Sequence, residues 1–268
     1  MTAHSKAPKG GFPTGLTSVA AKETNDGFGL DFAVLKLKAG ETFEETAACE
    51  SAYLLMAGEA EFRFANRAEA ASRASLFDVG PTCLHVGKGE RVALVAKTDA
   101  EFTLYRCANA KALTARYFSP ADIPDEYRGK GQVGDQCLRN VRTIFDASNS
   151  AQDAELVLGE VVTLPGRWSS YPPHHHPQPE IYHYRFTEKQ GYGHAELGET
   201  VLKVRDGDTV KIADGQDHAQ AAAPGYGMYY AWVIRHLPNN KYGVPEFTEE
   251  HRWTMAKDAK FWRPEWSR

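Results

Sequence analysis

Apolar and polar residues alternate in short runs along most of this chain, and turns containing Gly, Pro or Asp separate the runs. A period of two places one face of an extended segment in a core and the other outward, so the pattern predicts strands and an all-β fold. In the first half, residues 32–38 alternate and stop at Ala39-Gly40-Glu41, residues 53–56 stop at Ala57-Gly58-Glu59, and residues 60–64 alternate again. The Gly58-Glu59 step reads as a hairpin turn, and residues 91–96 and 101–107 read as a second hairpin closed by Lys97-Thr98-Asp99. The rhythm returns in residues 156–163, 181–186, 200–205, 209–212 and 228–234. Between the halves, residues 120–134 are polar and rich in Gly and Pro, the composition of a boundary. The expected organisation is therefore two similar units, residues 1–125 and 126–268.

Length fits such a duplication, since 268 residues suffice for two domains of ordinary size. A net charge of -4 and a pI near 6.2 provide no basic field for a phosphate backbone, so nucleic acid is excluded as an expected partner. No apolar run reaches membrane-spanning length and no apolar leader opens the sequence, which points to a cytoplasmic protein with no membrane partner. Cys49, Cys83, Cys107 and Cys137 are isolated and read as small buried hydrophobes without chemistry. The C-terminal stretch carries Trp253, Trp262 and Trp266, large amphipathic rings that suit packing across the fold or a contact in a homo-oligomer.

One segment changes the picture from architecture to chemistry. Tyr171-Pro172-Pro173 leads into His174, His175 and His176, followed by Glu180, and His218 comes later, after a Gly215 turn. On a strand, His174 and His176 share a face while His175 points away, and Glu180 adds a carboxylate from the next strand. Three neutral imidazoles and one carboxylate suit one borderline divalent ion, Zn or Mn before Fe or Ni, with coordination positions left for a substrate. The competing reading is a solvated histidine run in a Pro-rich loop. A second-strand histidine placed after a glycine turn favours the metal site. His85 lacks a His-x-His partner, so the first unit is expected to hold no metal and His85 to pack.

The two segments resemble the paired cupin motifs, Gly-x5-His-x-His-x3-Glu and Gly-x5-Pro-x-Gly-x2-His, with Trp168 and Ala213 departing from the glycine and proline positions and Ala222 standing where many cupins have asparagine. Residues 128–131, Leu158-Gly-Glu-Val161, Trp168-Ser-Ser-Tyr-Pro-Pro-His174, residues 180–186, Asp206-Gly-Asp208 and Ala223-Pro-Gly-Tyr226 with Tyr229-Tyr230 resemble the 5-deoxyglucuronate isomerase family of inositol catabolism. The pectin-degradation isomerases are similar at a greater distance. The resemblance implies a bicupin of two jelly-roll barrels and a metal-dependent conversion of 5-deoxy-D-glucuronate to 5-dehydro-2-deoxy-D-gluconate. Only Pro177-Gln178-Pro179 separates His176 from Glu180, a shorter connection than in many members.

Moving a proton between adjacent carbons through an enediol requires a proton carrier and a stabiliser of negative charge on oxygen. Glu180, Tyr182 and Tyr184 share a strand face, which makes them the candidate catalytic groups, although aromatics at that spacing also fill cores. Trp168, Ser170 and Tyr171 are the candidate rim of the substrate pocket. A uronic acid carboxylate is best met by a guanidinium fork, with Arg185 and Arg235 as candidates beside Arg167. The same ligand set serves a non-haem iron oxygenase or a non-catalytic sugar-binding barrel, and another uronate remains open as substrate.

Overall fold

The computed structural model describes residues 3–21, 28–213 and 215–267, and its regular elements are strands joined by a few short 3-10 turns. Nine first-half strands form one connected sheet system around Leu30–Leu37, Glu50–Phe64 and Ala100–Cys107. Leu156–Thr163, Glu180–Phe186 and Met228–Arg235 form the middle of a seven-stranded sheet, and Trp168–His175, Tyr192–Leu197 and His218–Ala222 belong to a five-stranded sheet. No described sheet closes on itself as a barrel. What stands of the expected architecture is a mostly β chain of sheets packed face to face.

Three buried clusters hold the layers together. Leu35, Tyr53, Phe62, Leu94 and Phe102 pack within the first half. Tyr184, Leu197, Val204, Met228 and Tyr230 fill the space between the seven- and five-stranded sheets. A middle cluster joins Phe32, Leu54 and Tyr105 to Phe145, Leu158, Ile181, Tyr229 and Val233, so the central sheets of the two halves lie back to back. Burial on both faces explains why Leu156–Thr163 reads as almost continuously apolar.

Two predicted hairpins are corrected. Glu50–Phe64 is one strand that runs through Gly58, pairing first with Ala100–Cys107 and then with Arg67–Arg73, with a register shift between Leu55 and Ala57. Gly58 has φ 93°, and a Cβ there would stand 2.3 Å from the Asp99 carbonyl oxygen. It marks a bend where a strand passes between sheet regions. The actual turn is Ala65-Asn66, with φ of 46° and 59°. Arg91–Ala96 and Ala100–Cys107 do not pair with each other either: the former joins Thr42–Thr46, the latter Leu30–Leu37. Lys97 instead donates its backbone N–H to the Glu59 carbonyl, at 2.8 Å.

The N-terminal strand joins the sheet of the second half. His4–Ser5 pairs with Thr209 and Val210 in the second-half sheet, and Asp208 accepts from the His4 ring and the Ala7 N–H at 2.8 and 2.9 Å. Polar groups also cross between the halves. Glu50 meets His85 at 2.8 Å and accepts the N–H groups of Glu155 and Leu156 at 2.8 and 2.9 Å, while the His85 ring stacks on Phe145. Arg73, fully buried, reaches Glu160 at 2.7 Å. All four cysteines are buried and none is in a disulfide, and burial pushes the Cys83 thiol up. No helix among the described residues is long and apolar enough to cross a membrane. Trp253, Trp262 and Trp266 are exposed and do not pack across the sheets.

Candidate metal centre

The strand that carries the histidine run is irregular, and that irregularity decides which side chains turn inward. Trp168–His175 pairs with His218–Ala222 at Ser169 and at His174, with a register shift between them, and Ser170 adopts φ 53°. Ser170 and His174 consequently line a cavity of about 560 Å³. His175 meets Asp217 at 2.7 Å on the rim, on the outer side expected for it. Trp168 and Tyr171, expected at the pocket, do not line this cavity. Strict alternation would put positions 168 and 171 on opposite faces; with the irregularity at Ser170 their rings pack edge to face with each other at 5.6 Å.

Three groups converge on one point. His176, Glu180 and His218 are buried, and one ligand atom from each lies within 4.8 Å of the others. Glu180 Oε2 stands 3.1 Å from His176 Nε2 and 3.3 Å from His218 Nε2. His218 Nδ1 donates to the Gln216 carbonyl at 2.9 Å, so the neutral ring presents a lone pair at Nε2. That nitrogen is buried without a hydrogen-bond partner. A lone pair facing a carboxylate oxygen at this distance is repulsive unless a cation lies between them, so the donor set fits a divalent metal ion.

His174 stands beside this trio, with its ring centroid 4.3 Å from that of His218 and 6.4 Å from that of His176. Its Nδ1 donates to the Ser170 carbonyl at 3.2 Å, which leaves Nε2 as its acceptor. Burial and then the neighbouring His218 push its pKa down to about 3, so the imidazole is neutral. Burial alone would raise the Glu180 pKa, but the adjacent His176 and His218 rings outweigh it and hold the carboxyl at about 2.

Along Glu180–Phe186 the faces alternate as expected. Tyr182 lines the cavity, with its hydroxyl 3.4 Å from Ser170 Oγ. Tyr184, on the same face, sits deeper in the core and donates to Gln220 Oε1 at 2.7 Å, so it does not reach the cavity. Tyr230, not singled out as catalytic by the sequence, stacks on Tyr182 at 4.8 Å and stands 3.0 Å from Ser170 Oγ. Its signal lay in alternation along Met228–Arg235, where Tyr230 and Trp232 share the cavity side.

The arginines are rearranged relative to expectation. Arg185, one position out of phase with Glu180, points to the opposite face and pairs with Glu101 of the first half. Arg235 donates to the Phe28 and His236 carbonyls, each at 3.3 Å, and packs over Gly29. Arg167 donates to the Asp135 carbonyl at 2.8 Å. None of the three lines the cavity; Arg128 and Arg139 do. The roof is Tyr242, Val244, Pro245 and Phe247, with the Tyr242 ring 4.9 Å from that of His176.

The model of the KduI/IolB family matches residues 6–254. The chain belongs to that family. A relative from Geobacillus kaustophilus named 5-deoxy-glucuronate isomerase is 29% identical over 224 residues, covering 76% of this chain and 79% of the relative. Among solved structures, an IolB-like protein from Salmonella typhimurium superposes with a TM-score of 0.84 at 23% identity, covering 96% of this chain and all of that one. A cupin barrel domain protein from Leptotrichia buccalis superposes with a TM-score of 0.52 at 12% identity, covering 82% and 88%, a likeness of fold alone.

Proposed function

We propose that this chain is a metal-assisted aldose–ketose isomerase, a bicupin in plan, that converts 5-deoxy-D-glucuronate to 5-dehydro-2-deoxy-D-gluconate in myo-inositol breakdown. The observation that carries the reading is the buried His176–Glu180–His218 cluster, whose Glu180 lines a cavity, in a member of this family. Those three residues, with His174 as the fourth, would hold the ion. A bound divalent metal, Zn or Mn before Fe or Ni, supplies Lewis acidity toward a carbonyl oxygen.

The chain's own groups then divide the remaining work. Both imidazoles meet Glu180 through Oε2, which leaves Oε1 to take the proton from one carbon and return it to the next. Burial, and after it the Glu180 charge, holds the Tyr182 phenol far above its usual range. Burial pushes Tyr230 up to about 12. Both phenols therefore keep their protons at neutral pH and can donate to substrate oxygens, with Ser170 Oγ between them. Ser170 is the member of the predicted rim that lines the cavity. Tyr242, Pro245 and Phe247 close the roof and exclude water from an enediol that would otherwise exchange its protons.

The test is incubation of metal-analysed protein with 5-deoxy-D-glucuronate, with NMR following the aldehyde proton and the ketone carbon. Loss of the aldehyde signal with matching growth of the ketone is expected. A metal-loaded protein that leaves the aldehyde untouched overturns the substrate assignment and moves the site to another uronate, to oxygen chemistry or to plain binding.

A further inference from the structure

The wall of the cavity that Glu180 lines contains an arrangement that costs stability by itself. Arg128 and Arg139 are directly opposed cross-strand partners between Glu126–Arg128 and Arg139–Phe145, and both line the cavity. Like charges directly opposite one another on a sheet are unfavourable. Arg128 lies outermost and is paired with Glu126 at 2.7 Å. Arg139 is half-buried, and its hydrogen bond is to the Cys137 carbonyl at 3.0 Å.

No carboxylate among the described residues lies within ion-pair distance of Arg139. The contrast with other sheltered arginines is direct: Arg73, Arg106 and Arg142 meet Glu160, Glu45 and Asp125 at 2.7, 2.7 and 2.6 Å. Burial, the largest cause, and the Arg128 charge both disfavour the cation at Arg139, while the neighbouring Tyr230 favours it. A guanidinium kept in a cavity without its counter-charge is arranged to receive one from outside. The remaining acids on the lining do not supply it. Glu180 is engaged by two imidazoles, and Asp146 Oδ1 accepts from the Ser148 N–H and hydroxyl at 2.8 and 2.6 Å.

We infer that Arg139, supported by Arg128 at the mouth, binds the carboxylate of an acidic sugar whose carbonyl end lies at the His176–Glu180–His218 cluster. This rests on the isomerase reading for the position of the carbonyl, and on the arginine pair alone for the anion. A planar guanidinium takes a carboxylate through two parallel N–H···O bonds, which fixes orientation as well as charge. Arg139 then selects acids over neutral aldoses and sets the distance between the anionic end and the reacting carbons. Arg139 is thus a specificity residue, and it replaces Arg185 and Arg235 in that role.

The experiment uses metal-loaded wild type, Arg139→Met and Arg139→Lys with 5-deoxy-D-glucuronate and with its neutral amide. Arg139→Met is expected to raise KM for the acid by roughly 10- to 100-fold with a smaller change in kcat. It should change KM for the amide less than about twofold, while Arg139→Lys recovers part of the acid preference. Parallel loss on acid and amide, with metal content unchanged, overturns the assignment. Should wild type turn over neither compound, calorimetric titration with D-glucuronate separates the two ideas. Binding by wild type that Arg139→Met abolishes supports the anion site although the isomerase reading has failed. Equal binding by both proteins, or no binding to wild type at millimolar concentration, overturns the anion site.

Discussion

Replacing His218 with alanine is expected to remove the bound metal and lower kcat/KM by about 10³-fold, the equivalent of the several kcal/mol that a Lewis acid contributes at a carbonyl. The reason is geometric. His218 Nε2 is buried 3.3 Å from Glu180 Oε2 with no hydrogen-bond partner of its own, so its main favourable interaction there is with a cation between them. The fold should survive, because the backbone of His218–Ala222 is paired on both sides, with Trp168–His175 and Tyr192–Leu197. A companion variant gives the result its meaning. His175→Ala, adjacent to the cluster in sequence but turned to Asp217 on the rim, should keep its metal and most of its activity. Metal analysis and kinetics on the two proteins check this. Equal loss in both would mean that the histidine run acts as a surface element, and full activity in His218→Ala would remove the ion from the chemistry.

The second large effect lies away from the cavity. Glu160→Ala is expected to destabilise the protein by about 3–5 kcal/mol, read as a fall in the denaturation midpoint. Glu160 is fully buried and accepts from Arg73 at 2.7 and 2.9 Å, from Arg142 at 3.0 Å and from the Tyr229 hydroxyl at 2.9 Å. Arg73 comes from the first half and has no side-chain exposure, so the deletion strands a guanidinium between the two halves. Replacing Arg73→Met together with Glu160→Leu should recover part of the loss, since the Arg73–Glu160 attraction is largely offset by the cost of burying it and Arg142 keeps Asp125 at 2.6 Å. Denaturant titration of the single and double variants separates the cases. A single variant within about 1 kcal/mol of wild type would show that this contact does not hold the halves together.

Strand periodicity carried much of the fold, because a half-buried strand must alternate wherever one face is wet. It was ambiguous at Gly58, where a glycine in a bent strand and a glycine in a turn leave the same trace; the true turn at Ala65-Asn66 was hidden among alternating residues. Pairing partners were less legible than strands. Lys97-Thr98-Asp99 looked like a hairpin loop but leads from one pairing partner to another, and no local pattern encodes that choice. At the site, His176, Glu180 and His218 were readable because a short spacing and a glycine turn bring them together. Tyr230 and Arg139 were not, since only sheet register, Val161 beside Tyr230 and Arg128 beside Arg139, carries them to the same cavity. Arg185 illustrates the reverse case. It is close to Glu180 in sequence, yet the period of two turns it to the other face and to Glu101.

The most direct measurement is removal and return of the ion. The protein is stripped with a chelator, dialysed, and titrated with Zn or Mn while aldehyde-to-ketone conversion of 5-deoxy-D-glucuronate is followed by NMR. The account predicts no conversion by the stripped protein and a rate that rises in proportion to occupancy, reaching its plateau at one ion per chain. Stripped protein that converts the sugar at the original rate would contradict it.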